Sequence, residues 1–165
     1  MASESSPQHN VGWLLKQTAE RVPDQLGIAF PAGRGADGKR EYEMVSFEEL
    51  DRNSDALAVG LLDQGIPKGT RIAMLVPQSI EFITLVFALF KAGMVQVLID
   101  PGMGRRNMIR CLSAVEPEGM IAIPAGHIVR NVLRSKFKKI RYAVTVGTKL
   151  GWGGTTYKEL LATPC

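Results

Sequence analysis

The chain is poor in the residues on which most self-contained chemistries depend. Its 165 residues hold two cysteines, Cys111 and Cys165, far apart and in no CxxC pair. A disulfide framework and a cysteine-based zinc site are therefore excluded, and a reducing, cytoplasmic compartment is expected. The two histidines, His9 and His127, are distant from each other, and neither has a carboxylate at metal-ligand spacing. No metal site is expected from them. There is no GxxxxGK[ST] phosphate loop, and no GxSxG elbow to present a nucleophilic serine. Long apolar runs are missing as well. The most apolar stretch, 80–99, is interrupted by Glu81, Lys91, Gly93 and Gln96, so it predicts a buried helix followed by a buried strand, not a transmembrane segment. The first ten residues lack the apolar centre of a secretory signal. Residues 1–10 are expected to form a loose tail, and 11–165 a single domain.

What is present is ordinary globular composition, with 45% hydrophobic and 22% charged residues, which argues against disorder over most of the chain. A net charge of +4 is too small to mark a nucleic-acid binder. The excess is concentrated in Arg134, Lys136, Lys138, Lys139 and Arg141. These side chains form either a solvated helix end or an anion site for a phosphate-bearing ligand.

Caps and periodicity divide the chain. Asn10 can cap a helix over 11–21, with an apolar stripe of Leu14, Leu15, Thr18, Ala19 and Val22. Strands over 26–30 and 41–45, separated by a glycine-rich loop over 31–40, read as a hairpin. Ser46 and Glu49 form a capping-box pattern for a helix bearing Leu50, Ser54, Leu57, Ala58, Leu61 and Leu62, ended by Gly65. A strand over 70–76 leads to a helix from Ser79 to about 92, stopped by Gly93, and then to an apolar strand over 95–99. So little alternation suits a parallel sheet covered on both faces. After the break at Asp100-Pro101-Gly102, a helix is expected over 105–115 and a strand over 119–123. A second helix over 126–137 should have Ile128, Val129, Val132 and Leu133 inward, and a strand follows over 141–146. Thr155 can cap a last helix through 161. Alternating β and α elements predict a three-layer α/β fold with a largely parallel sheet of βαβ units.

Two glycine patterns invite a nucleotide reading. Gly33-Arg34-Gly35-Ala36-Asp37-Gly38 matches GxGxxG but is followed by a strand, whereas the dinucleotide fingerprint needs a helix there. It reads as a hairpin loop. Gly102-Met103-Gly104-Arg105-Arg106-Asn107 does lie between a strand and a helix, but lacks the third glycine; a turn and helix start suffice to explain it. Glu48 and Glu49 sit in a helix's first turn, where the macrodipole favours acids. No catalytic constellation is self-contained in this sequence.

The segments nevertheless follow a familiar order. VGWLLKQTAERVPD from Val11 resembles the opening helix of the adenylate-forming (AMP-dependent) synthetases and ligases. VSFEELDRNSD from Val45 is similar to their T-Y-x-E-L segment, and GIPKGTRIAMLVP from Gly65 to the G-V-x-x-G-D-x-V-A stretch that follows. SIEFITLVFALFKAGMVQVLIDP from Ser79 carries Lys91, Ala92, Gly93, Asp100 and Pro101 in the family's positions, with Leu98 where many members have proline. Asp100-Pro101-Gly102 with Arg105-Arg106, and Gly151-Trp152-Gly153-Gly154-Thr155, are most similar to the branch of fatty-acyl ligases and olefin-pathway β-lactone synthetases.

The resemblance implies a parent enzyme that activates a carboxylate, such as a fatty acid, with ATP and Mg²⁺ to an acyl-adenylate, often passing the acyl group to coenzyme A. It places the ATP phosphate loop, adenine and ribose contacts and C-terminal lysine beyond Cys165, so the chain alone is expected to be an inactive N-terminal fragment with the rest of the ligase as its partner. Catalytic residues within it are therefore expected to be none. By regional similarity to acetyl-CoA synthetases, Arg130 and Arg134 are candidates for the coenzyme A nucleotide. The alternative is a stand-alone, non-catalytic α/β binding module; a small Rossmann-type nucleotide binder would need a glycine fingerprint that is missing. A fragment would leave an apolar face exposed, and self-association through it is expected.

Overall fold

In the computed structural model, which describes residues 10–99 and 101–164, two helical layers enclose a parallel sheet, with a hairpin beside it. Of the expected tail over 1–10, residues 1–9 lie outside the described residues, as do Asp100 and Cys165, while Asn10 belongs to the start of the first helix. Helix α1 (Val11–Arg21) starts where the side chain of Asn10 accepts from the Gly12 N–H at 2.8 Å. Its buried positions are Gly12, Leu15 and Ala19, while Leu14 points to solvent. Strands β1 (Leu26–Arg34) and β2 (Arg40–Ser46) pair antiparallel. The loop between them is shorter than the expected 31–40, because β1 continues through Pro31 with a register shift before Gly33. A two-stranded hairpin tolerates that proline since both strands are edges. The GxGxxG run is thus a strand end and its turn.

Ser46 accepts from the Glu49 N–H to start α2 (Phe47–Asp63), and Gly65, at φ +72°, ends it in the left-handed conformation. The remaining elements are β3 (Arg71–Leu75), α3 (Ile80–Lys91), β4 (Val95–Leu98), a 3₁₀ turn (Pro101–Met103), α4 (Arg105–Val115), β5 (Gly119–Ala122), α5 (Pro124–Val132), a second 3₁₀ turn (Arg134–Lys136), β6 (Tyr142–Thr145), β7 (Thr155–Thr156) and α6 (Tyr157–Leu161).

The sheet order is β4-β3-β5-β6-β7, with every neighbour parallel. From β3 the chain steps one way to β4, then crosses back over β3 to β5 and continues outward. With right-handed crossovers, α3 falls on one face of the sheet and α4 and α5 on the other. Packing follows the period of two along each strand. Ile72, Met74, Ile121 and Val144 pack with Leu57, Leu61, Leu85, Leu89 and Leu160 from α2, α3 and α6. Ala73 faces the opposite way, with Leu112 of α4 and Phe137.

Three expectations need correction. Strand β4 is an edge, and its apolar Val95 and Leu98 are 48% and 54% exposed, not covered on both faces. The helix expected over 126–137 begins at Pro124, a favoured first-turn proline, and stops at Val132 because Leu133 (φ −103°, ψ 35°) leaves helical geometry. Ile128 and Val132 are 49% and 76% exposed, while fully buried His127 takes the inward place. Finally, α6 is capped by Thr156, not Thr155. Thr156 and Glu159 form a reciprocal capping box, and the Thr155 hydroxyl donates to Glu159 at 2.9 Å.

Candidate functional site

Two adjacent concavities that share Arg130 and Phe137 occupy the α4/α5 face. The first is a basic cleft of about 780 Å³ beside β6. One wall comes from Arg130 and Asn131 on α5, Arg134 in the 3₁₀ turn and Lys138; the floor from Arg141 and Ala143; the far wall from Trp152, Gly153 and Gly154. Strand β7 has only two residues, so the sheet offers little beyond β6 on this side and the floor stays open. The structure thus brings Arg130 and Arg134, both proposed from sequence, into one cleft with two further cations of the basic cluster. Lys136 instead lines a separate depression with Arg106 and Arg110. Lys139 is tied to Glu116 by a 2.6 Å ion pair, which holds that carboxyl below its usual range.

The far wall is fixed by backbone geometry. Gly154 has φ +98°, and a side chain there would run into the Ala143 carbonyl. Lys149 donates to the Gly154 carbonyl at 2.6 Å, and the Trp152 indole N–H donates to the buried Thr145 hydroxyl oxygen at 2.9 Å. Trp152 also rests against His127, ring centres 5.4 Å apart and tilted by 30°. His127 Nε2 lies 3.0 Å from the Val144 carbonyl. A carbonyl only accepts, so Nε2 carries the proton and Nδ1 holds the lone pair. Nδ1 is buried with no hydrogen-bond partner among the described residues. Burial chiefly lowers this histidine's pKa; the Val144 bond pulls it up, and the Arg130 charge pushes it down again. His127 is therefore a neutral support under Trp152. No sequence motif announces a lone histidine of this kind.

Arg130 is partly buried, and burial followed by repulsion from Arg134 lowers its pKa. A guanidinium keeps its charge in proteins, so both arginines are donors suited to anions; among the described residues Arg130 donates to Asn131 Oδ1 at 3.3 Å.

The second concavity, of about 290 Å³, is apolar and lies under α4 and α5 at the carboxyl ends of β3 and β5. Arg130 lines it too. The other glycine-rich candidate, around Gly104, forms a helix start without a side-chain cap bond.

On the opposite side of the molecule Lys91 Nζ meets Asp51 Oδ1 at 2.6 Å, Asp55 Oδ1 at 2.7 Å and the Asp51 carbonyl at 2.9 Å. With side-chain exposures of 10%, 14% and 39% these groups form a clamp between α2 and α3 whose outer edge, Asp55 with Lys91, lines a shallow surface depression beside α1. Among the described residues no group of three or more His, Cys, Asp or Glu side chains could hold a metal ion, and no helix is long and apolar enough to cross a membrane. The donors of the basic cleft suit phosphate groups.

Comparison with known proteins agrees with this architecture. The chain is 45% identical over 153 residues to an olefin beta-lactone synthetase of Stenotrophomonas maltophilia, covering 92% of this chain and 28% of that protein. It is 43% identical over 148 residues to the Xanthomonas campestris protein of the same description, covering 89% and 26%. The chain thus spans about a quarter of the length of these relatives. Its fold superimposes on acetoacetyl-CoA synthetase from Streptomyces lividans with a TM-score of 0.78 at 20% identity, covering 94% of this chain and 25% of that one. Residues 15–158 match the AMP-binding enzyme family, and the chain belongs to that family.

Proposed function

We propose that the chain is the N-terminal part of a ligase that activates a fatty carboxylate with ATP, forming an acyl-adenylate and releasing pyrophosphate. The observation that supports this most is the family match over residues 15–158, together with the β-lactone synthetases at 45% and 43% identity. The ATP loop and magnesium ligands then belong to the remainder of the ligase. No catalytic residue is assigned to this chain, and it is inactive by itself. Nothing observed favours the stand-alone binding module.

Within that reading the basic cleft receives the phosphates of the coenzyme A nucleotide. Arg130 and Arg134 are the primary contacts; their fork of N–H donors fits phosphate oxygens. The test measures carboxylate-dependent ATP–pyrophosphate exchange and thioester formation separately on the full ligase. Arg130→Ala with Arg134→Ala should spare exchange and raise the coenzyme A concentration needed for half-maximal thioester formation by tenfold or more, on the order of two charge-assisted hydrogen bonds lost. Absence of exchange with any fatty carboxylate would overturn the ligase reading. Unchanged thiol-step kinetics, or turnover without a coenzyme A requirement as lactone closure would give, would overturn the assignment of the cleft.

A further inference from the structure

Charge is unevenly placed along this chain. Nine of its 20 Lys and Arg residues, but only two of its 16 Asp and Glu, lie in 101–141. That segment, which builds the α4/α5 face, therefore carries +7 and the remainder −3. Its two acids are already engaged, Glu116 with Lys139 at 2.6 Å and Glu118 with Arg71 at 3.6 Å. Among the described residues no ion pair neutralises Arg106, Arg110, Lys136 or Lys138, and all four are exposed. Arg106 and Arg110, four residues apart on α4, share a depression of about 710 Å³ with Leu133 and Lys136. Apolar side chains project from the same face. Val132, 76% exposed, is the most exposed large apolar residue among those described, and Ile128, one turn earlier on α5, is 49% exposed. Asn131 turns to the basic cleft and Leu133 to the other depression, so Val132 stands on the crest between two cationic hollows.

We propose that this face docks on a lipid surface bearing anionic headgroups, with Val132 and Ile128 entering the headgroup boundary and Arg106, Arg110 and Lys136 resting on headgroup phosphates. Charge complementarity selects the occupant. A neutral surface would leave the cations without counter-ions, and a second copy of this chain would oppose one +7 face to another. An acidic protein would match the sign. Its carboxylates are fixed in place, however, while the cations here are spread over α4 and the 3₁₀ turn after α5, and a projecting apolar crest needs a groove cut to receive it. A bilayer interface meets both demands without a fitted shape. Its anions are mobile, each lysine or arginine near it adds to the attraction, and an apolar layer lies just beneath the headgroups. Long basic side chains can also lay their stems along that layer while their heads stay in water. The docking relies neither on Arg130 and Arg134 nor on the proposed ligase activity.

The experiment sediments the intact protein with vesicles of phosphatidylcholine alone, or of phosphatidylcholine with about one-third phosphatidylglycerol. Partition onto the anionic vesicles is expected to be at least tenfold stronger than onto the neutral ones, and to weaken as sodium chloride rises from about 0.05 to 0.5 M. Arg106→Gln with Arg110→Gln and Lys136→Gln should lower the partition coefficient about a hundredfold, near a factor of five per cation. Val132→Ser should lower it roughly tenfold, because its apolar surface no longer leaves water. Arg106→Lys with Arg110→Lys keeps the charge and should bind like the parent. Equal binding to both vesicles, no sedimentation at millimolar lipid, or partition unchanged in the triple Gln variant or in Val132→Ser would overturn the proposal. Stronger binding to soluble polyglutamate than to vesicles, indifferent to Val132→Ser, would overturn it in favour of an acidic protein. All the substituted side chains are exposed, and thermal unfolding confirms that each variant folds.

Discussion

The two faces of the parallel sheet are built differently. On the side of α2, α3 and α6, fully buried leucines interlock with Ile72, Met74, Ile121 and Val144 in one continuous cluster. On the side of α4 and α5 the buried apolar cluster is smaller, with Ala73, Leu112 and Phe137 packed among partly exposed neighbours. Both concavities that meet at Arg130 lie on this thinner side. The contrast teaches how one sheet divides its work. A closely filled face holds the strands in register, and a loosely filled face leaves room for ligands at the strand ends.

Substitutions can break that comparison, and the largest effect is expected in the filled core. Leu57→Ala or Leu85→Ala, at residues with no exposed surface, should cost about 3–5 kcal/mol, because transfer and cavity terms both apply. Leu112→Ala, beside the existing cavity, should cost nearer 2 kcal/mol by the same reasoning. Urea unfolding of the variants measures the difference, and equal costs would erase the distinction between faces. Next comes Lys91→Met, which leaves Asp51 and Asp55 facing each other without their cation. About 3 kcal/mol of destabilisation is expected from a broken, mostly buried pair, read from the same unfolding curves.

A smaller effect belongs to His127. Its pKa is lowered on folding, from an ordinary value of 6.5. The unfolded chain therefore binds more protons than the native one below about pH 6.5, and stability falls as the pH drops through that value. His127→Gln keeps a donor for the Val144 carbonyl but does not titrate. Unfolding midpoints at about pH 7.5 and 5.5 should then differ less in the variant than in the parent, and an unchanged difference would place the titration elsewhere. Smallest is the loss of a cap: Ser46→Ala or Thr156→Ala should cost about 1 kcal/mol each, measurable as a lowered thermal midpoint.

What could be read from the sequence divides only partly in the same way, since α4 on the thinner side was placed correctly and the cap of α6 on the filled side was not. The filled face was legible because its helices carry local signals. Asn10, Ser46 and Ser79 accept from backbone N–H groups at helix starts, and Gly65 and Gly93 take left-handed conformations at the ends. The bounds of α1 and α4 agree with expectation, as does the parallel α/β class. The thinner face was read less well. Ile128, Val129, Val132 and Leu133 repeat at helical spacing, but only tertiary context decides which of them turn inward. Pro124 and Leu133 shift and shorten that helix. Thr155 and Thr156 are chemically identical caps, and only the reciprocal bond with Glu159 distinguishes them. The apolar crevice depends on strand order, which no local pattern encodes, and His127 belongs to no motif.

The Lys91 clamp has a consequence for how the molecule opens. The Lys91 stem packs against Gly12, and the Asn10 amide donates to the Phe90 carbonyl at 2.8 Å. The first turn of α1, the middle of α2 and the last turn of α3 are thereby fastened at a single point. Backbone amides in these three places should exchange with deuterium as one cooperative unit, at a rate near that of global unfolding. Amides of α5, whose outward side chains include Val132, should exchange earlier and independently. The helix nearest the chain's beginning would thus be among the last to let go.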